Sequence, residues 1–237
     1  MPTKVKTPNQ RSNELAALLS PDDAPHMLPA APALTPSRAY LTATVDEATG
    51  EVVERPRFRY LPGHPRQVRA DLKSGSFNIN GTEQLGKTLT FIPLAWRIFA
   101  DNILGMDRKL WAELFFVDAS GAVCAVLFHG YSVENLQKLN ASLFYDELNL
   151  TDVELTVTPV KKQTEKEGKS ATYYIAEFSY HAADPAEVEA RRQFVEDHDL
   201  YRVETTTGAA DLRLVHGYRL PAGYEPTRAP LPLAEAA

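Results

Sequence analysis

The sequence predicts an all-β fold with minor α. Its centre reads as a five-stranded Greek-key barrel of the OB type, in the order β-β-β-α-β-β. Three observations predict this. Of 17 prolines, ten lie in residues 1–65 and only Pro93 and Pro159 between 66 and 184, so the middle alone is free to form long regular elements. Residues 75–181 hold 15 of the 22 aromatic side chains. Within that stretch the hydrophobic period changes from two to helical once and then returns. Another small β-barrel or sandwich with an inserted helix fits the same order.

The first forty residues show no hydrophobic period and read as a tail. Asn13–Leu19 has the pattern of a turn or two of helix that needs a partner surface. Tyr40–Val53 reads as a hairpin turning at Ala48-Thr49-Gly50. Residues 1–54 are therefore expected to be a weakly ordered extension, dispensable for the fold. Residues 55–74 are expected to be a basic arm or linker.

The barrel is expected over 75–183. Ser76–Asn80 is a short strand, and Gly81 and Gly86 bracket a turn. Thr88–Phe99 is a long strand in which Pro93 demands an edge, a bulge or a sharp bend. Leu110–Val117 and Ala122–Tyr131 follow, joined by the turn Asp118–Gly121, and complete a meander. Val133, Leu136 and Leu143 then fall at helical spacing, with Ser132 placed to cap the helix. Val153–Val160 and Ala171–His181 are the last two strands, joined by the lysine-rich loop KKQTEKEGKS. Asp184-Pro185-Ala186-Glu187 starts a second helix, running to about Asp197. Leu200–Leu220 reads as a hairpin turning near Gly208, and 221–237 as a frayed tail.

No catalytic constellation is visible, and the chain is read as a non-enzyme without metal or cofactor. His129 and His181 lack ligand partners at useful spacing. The one cysteine, Cys124, sits in an apolar strand and excludes a disulfide scaffold. Gly81 to Lys87-Thr88 has the spacing of a phosphate-binding loop. That loop needs a helix after it, whereas Thr88 opens a strand.

Binding features are stronger. On strand 110–117, Trp111, Glu113, Phe115 and Val117 share one face and Leu110, Ala112, Leu114 and Phe116 the other. A carboxylate marks the wetter face, so Trp111 and Phe115 are expected to stack on bases and Phe116 to be core. Tyr173 is the expected stacker on the last strand, with Phe178 in the core. The opposing possibility is that these rings are core, or are covered by the terminal segments. Two basic clusters are candidates to track phosphate. Lys161, Lys162, Lys166 and Lys169 stand against Glu165 and Glu167, a net of +2. Arg55, Arg57, Arg59, Arg66, Arg69 and Lys73 stand against Asp71, a net of +5, with Phe58 and Tyr60 interleaved. Lys87, Trp96, Arg97 and Lys109, on or beside the first barrel strands, complete the candidate set. A chain of net charge −6 concentrates its positive charge in these places.

GSFNINGTEQLGKTLTFIPLAWRIF, LWAELFFVD and the lysine-rich loop together resemble the divergent single-stranded DNA-binding proteins of phages and mobile elements. The resemblance covers about residues 70–181. It implies an OB barrel that coats single-stranded DNA without sequence preference in replication or recombination. It also implies other proteins of those processes as partners and the cytoplasm of a bacterial or phage-infected cell as the setting. Common bacterial members end in an acidic, phenylalanine-capped tail; this chain ends in RAPLPLAEAA. No apolar run reaches the roughly 20 residues of a membrane helix, and no membrane partner is expected. The alternative function is a phage or mobile-element assembly protein whose barrel contacts other proteins.

Overall fold

The computed structural model describes residues 35–166 and 169–226. The helical turn expected at Asn13–Leu19 and the tail beyond residue 226 lie outside the described residues. The described residues are mostly β with two α-helices, and the strands form open sheets. No helix among the described residues is long and apolar enough to cross a membrane.

The hairpin near residue 40 is present. Strands β1 (Leu41–Val45) and β2 (Val52–Pro56) pair antiparallel from Leu41 opposite Pro56 to Val45 opposite Val52. Asp46 organises the turn, its carboxylate accepting from the Ala48 amide at 2.8 Å. Gly50 closes it at φ 71°, a conformation that favours glycine. The hairpin is not a loose extension. Tyr40, at its base, packs edge-on against Phe194 at 5.3 Å and donates its hydroxyl to Asp197 at 2.9 Å.

Residues 55–74 are not a linker. They include strand β3 (Arg66–Asp71), which pairs antiparallel with β4 (Ser76–Ile79). Val68 is the reason: it stands between the polar Gln67 and Arg69 and is buried in the core. The count of arginines hid that alternation. Strand β5 (Glu83–Gly86) follows β4.

The strand expected over 88–99 breaks at Ile92 into β6 (Leu89–Phe91) and β7 (Pro93–Asp101). Pro93 sits at the break and the register of β7 shifts between Pro93 and Ala95, so both a bend and a bulge occur. The bend carries the chain from one sheet to the other. β7, β8 (Lys109–Val117) and β9 (Val123–His129) form the expected meander. Helix α1 (Tyr131–Tyr145) is capped by Gly130 at φ 62°, not by Ser132. Ser132 is buried instead, its hydroxyl accepting from the Ala176 amide at 2.9 Å. Strands β10 (Val153–Lys166) and β11 (Lys169–Ala182) form a long ribbon. Helix α2 (Pro185–Asp197) starts on Asp184, which accepts from the Ala186 amide at 2.9 Å. Of the hairpin expected at 200–220 only the second arm is a strand, β12 (Asp211–His216), paired with β7. Its first arm contains a short 3-10 turn, Val203–Thr205.

One sheet runs β12-β7-β8-β9-β3-β4-β5 and a second β11-β10-β6. The hydrogen bonding does not close a five-stranded barrel. The place beside β9 is taken by β3, arriving parallel, with Arg66 opposite Cys124. β11 pairs with β10 and reaches the end of β3 through one backbone bond, from the Tyr174 amide to the Leu72 carbonyl at 3.0 Å. A seam stays open between β11 and β3. The inner core lies between the sheets and under α1, where Phe91 stacks on Phe116 at 4.2 Å and Leu136 and Leu143 are fully buried. A second cluster on the outer face joins Tyr40, Phe58, Phe115, Phe194 and Leu200.

Tyr40→Ala is expected to destabilise the fold by about 3 kcal/mol, the cost of removing a core aromatic. Urea denaturation of the full chain measures it. A change under about 1 kcal/mol would show that the hairpin is loosely attached.

Candidate nucleic-acid interface

The face expected to be wet is sealed. Trp111 is 2% exposed, and Phe115 and Glu113 have no exposed surface. The carboxylate misled because its partner is a cation rather than water. Arg97 lies directly across from Glu113 in the β7–β8 register, with Nη2 2.7 Å and Nε 2.9 Å from Oε2. Thr205 closes the network. Its hydroxyl donates to Glu113 at 2.8 Å and accepts from Arg97 Nη2 at 2.9 Å, while its carbonyl accepts from the same nitrogen at 2.9 Å. The Arg97 guanidinium also lies 4.0 Å from the Phe99 ring centre and 4.1 Å from that of Tyr218. The segment around 200–218 thus covers the outer face of the meander. Trp96 turns to the inner core at 6% exposure. Trp96, Arg97, Trp111 and Phe115 are therefore not available to bases. Phe116 is core as expected, and Phe178 packs partly buried against the same cluster.

The basic arm is dispersed as well. Arg57 pairs with Glu187, and Arg66 with Asp118 at 2.9 Å. Arg59 donates to the Ser120 carbonyl at 2.7 Å. Phe58 is buried and Tyr60 donates to the Tyr201 carbonyl at 3.0 Å, so these rings face inward while the arginines between them face out. Hydrogen bonds from Arg191 and Arg57 hold the Glu187 carboxyl below the usual range, against the effect of burial. Arg55 is exposed on β2 and Lys87 is exposed beyond β5. Lys161 is exposed on the ribbon, and Lys162 lies 3.3 Å from Glu177. The side chains of Lys166 and Lys169 lie outside the described residues.

The open seam gathers a different set. A groove of about 780 Å³ runs between β3, the start of α1 and β11, lined by Arg69, Lys73, Asn78, Tyr131, Tyr173 and Tyr174. A second lobe of about 540 Å³ shares Arg69, Met106, Leu127 and His129 with it and adds Leu104. Each position has a local cause. Gly130 turns the chain at the end of β9 and leaves Tyr131 61% exposed. Gly75, at φ 71°, lets the backbone approach Tyr174, since a Cβ there would lie 2.6 Å from the ring. The β10–β11 register sets Lys162 opposite Tyr173 and Lys161 opposite Tyr174. Arg69 and Lys73 make no ion pair among the described residues. Asp71, the nearby acid in sequence, is occupied by the Ser74 hydroxyl and the Lys73 amide, which lower its pKa. Burial, and then the Lys109 ammonium, lower the pKa of His129, so it is neutral at pH 7.

Of the residues singled out from sequence, Tyr173 lines this groove, together with Arg69 and Lys73 of the basic cluster. Lys109 does not line it, and its ammonium lies 3.8 Å from the Met106 sulfur. Tyr131, Tyr174, Met106 and His129 were missed. The available signal was Gly130, a break that ends β9 and turns the next ring outward. Cys124 is no nucleophile: burial, and then the Asp118 charge, push its thiol up to about 12. Among the described residues no cluster of His, Cys, Asp or Glu is arranged to hold a metal.

Glu113→Gln leaves Arg97 buried without a counter-charge and is expected to cost about 3–5 kcal/mol. Trp111→Ala is expected to cost about as much, because its ring is core. Urea denaturation checks both, and a loss under about 1 kcal/mol in either variant would contradict the sealed face. No family model, no curated protein and no solved structure matches this chain, so the functional reading rests on the chemistry of the groove.

Proposed function

We propose that this chain binds single-stranded nucleic acid, and specifically single-stranded DNA, without sequence preference and without catalysis. The observation that carries the reading is the open seam, where two cations that make no ion pair among the described residues, Arg69 and Lys73, flank a groove walled by Tyr131, Tyr173 and Tyr174. Single-strand binders need this combination: cations for phosphates and ring faces for bases, each stack contributing roughly 1–3 kcal/mol. Lys161, exposed on the ribbon opposite Tyr174, extends the cationic path. A duplex hides its base faces and offers nothing to the tyrosines.

The architecture supports an OB-like reading of the middle. β6 pairs with β10, and β7–β8–β9 is a meander followed by a helix and two strands. In this reading the barrel is opened at one seam, with β3 standing where the fifth strand would close it. The resemblance to phage and mobile-element proteins favours DNA over RNA. It also favours a role in replication or recombination, alongside other proteins of those processes, in the cytoplasm of a bacterial or phage-infected cell. A second reading, an assembly protein, draws on one observation. Phe144 and Tyr145, at the end of α1, are 75% and 83% exposed beside Asp146 and Glu147. Such a patch suits a protein contact better than a phosphate chain.

Fluorescence anisotropy with labelled oligo-dT tests the proposal. Affinity is expected to fall steeply with salt and to be weaker for duplex of the same length. Replacing both Arg69 and Lys73 by Ala should flatten the log–log salt slope by about 1.4, two phosphate contacts' worth. Equal affinity for duplex, or a flat salt dependence in the native chain, would overturn it.

A further inference from the structure

Three non-glycine residues among those described have positive φ: Asn80, Leu104 and Glu147. Leu104 alone is apolar, and 53% of its surface is exposed. Asparagine tolerates this conformation; leucine enters it only under strain. Leu104 and Gly105, at φ 55° and 70°, are the central residues of a turn closed by the Met106 amide donating to the Ile103 carbonyl at 3.0 Å. That is the pattern of a type I′ turn, which ordinarily carries Asn-Gly. Here an apolar residue occupies the strained position and points its bulk at water, at a cost with no return inside the fold.

The turn is held firmly. Ile103 is buried against Phe99 and Trp111. The Trp111 indole nitrogen donates to the Asp101 carbonyl at 3.0 Å, and the Thr207 hydroxyl donates to the Asp101 carboxylate. Trp111 thus anchors the loop from within. Leu104 and Met106, the latter 42% exposed, stand on the wall of the second lobe next to Arg69 and His129.

We propose that Leu104, with Met106 beside it, is the apolar tip that packs on the face of an unpaired base whose phosphate is held at Arg69. The inference rests on the single-strand reading of the same groove and adds a contact residue to it. An apolar side chain fits a base face of any sequence, in keeping with binding that does not read bases.

Leu104→Asn and Leu104→Gly in the full chain test it by anisotropy with oligo-dT across a salt series and by thermal melting. Both variants relieve the strained position, so the melting temperature should hold or rise. Affinity should fall about fivefold or more, with the salt slope unchanged because no phosphate contact is lost. Native binding with unchanged affinity in both variants overturns the tip and leaves the single-strand reading standing. A lower melting temperature in both, or a flattened salt slope, also overturns it. Failure of the native chain to bind oligo-dT removes the tip together with the reading on which it rests.

Discussion

Glu113 has no exposed surface and sits in the middle of a strand, so its charge must be answered inside the protein. Arg97 answers it from the neighbouring strand, and Thr205 bonds both partners from a segment more than ninety residues away in sequence. A buried ion pair contributes little net stability, because desolvation offsets most of the attraction. Its effect is to leave few alternatives. With Arg97 opposite Glu113, the β7–β8 register cannot slip by one residue without burying an unpaired charge. With Thr205 supplying the remaining hydrogen bonds, the C-terminal segment must lie across the outer face of the meander. Phe99 and Tyr218 then enclose the guanidinium from two sides.

The location of any binding surface follows. A meander buried on both faces has no platform to offer bases, and its rings become structural. Phe115 joins Phe58 and Phe194 under the hairpin and α2, while Trp111 holds the β7–β8 loop. What stays open is the seam, because β3 takes the position beside β9 and leaves β11 attached there by a single backbone bond. The groove therefore forms at the edge of the fold rather than across a sheet. Its tyrosines and cations come from β3 and the turn after it, the start of α1 and β11.

Local pattern carried most of the elements. The strands read at 110–117 and 122–131, the helical spacing after Ser132 and the Asp-Pro start of α2 all lie within a few residues of the observed bounds. The sheet partners were not legible, since pairing β3 with β9 is a contact between segments over fifty residues apart and Val68 was its only local sign. The facing of strand 110–117 was read correctly as alternation and wrongly as environment. Alternation separates two faces; it does not tell which is covered when a charge on one can be paired across the strand. The register that sets Arg97 opposite Glu113 depends on the long 102–108 connection, which the sequence pattern does not fix. Among the basic residues, charge count selected Arg57 and Arg66, which turned out to be neutralised by Glu187 and Asp118. Only position in the fold separates these from Arg69 and Lys73.

The central claim is that the outer face stays sealed while nucleic acid occupies the seam. Amide hydrogen exchange of the full chain, with and without saturating oligo-dT, tests it segment by segment. The account predicts added protection at residues 69–73, 102–108, 129–132 and 173–175, with β8 and residues 200–218 unchanged. Faster exchange at 200–218 together with new protection along β8 would contradict it, for that is the signature of a C-terminal segment displaced by DNA from the face it covers.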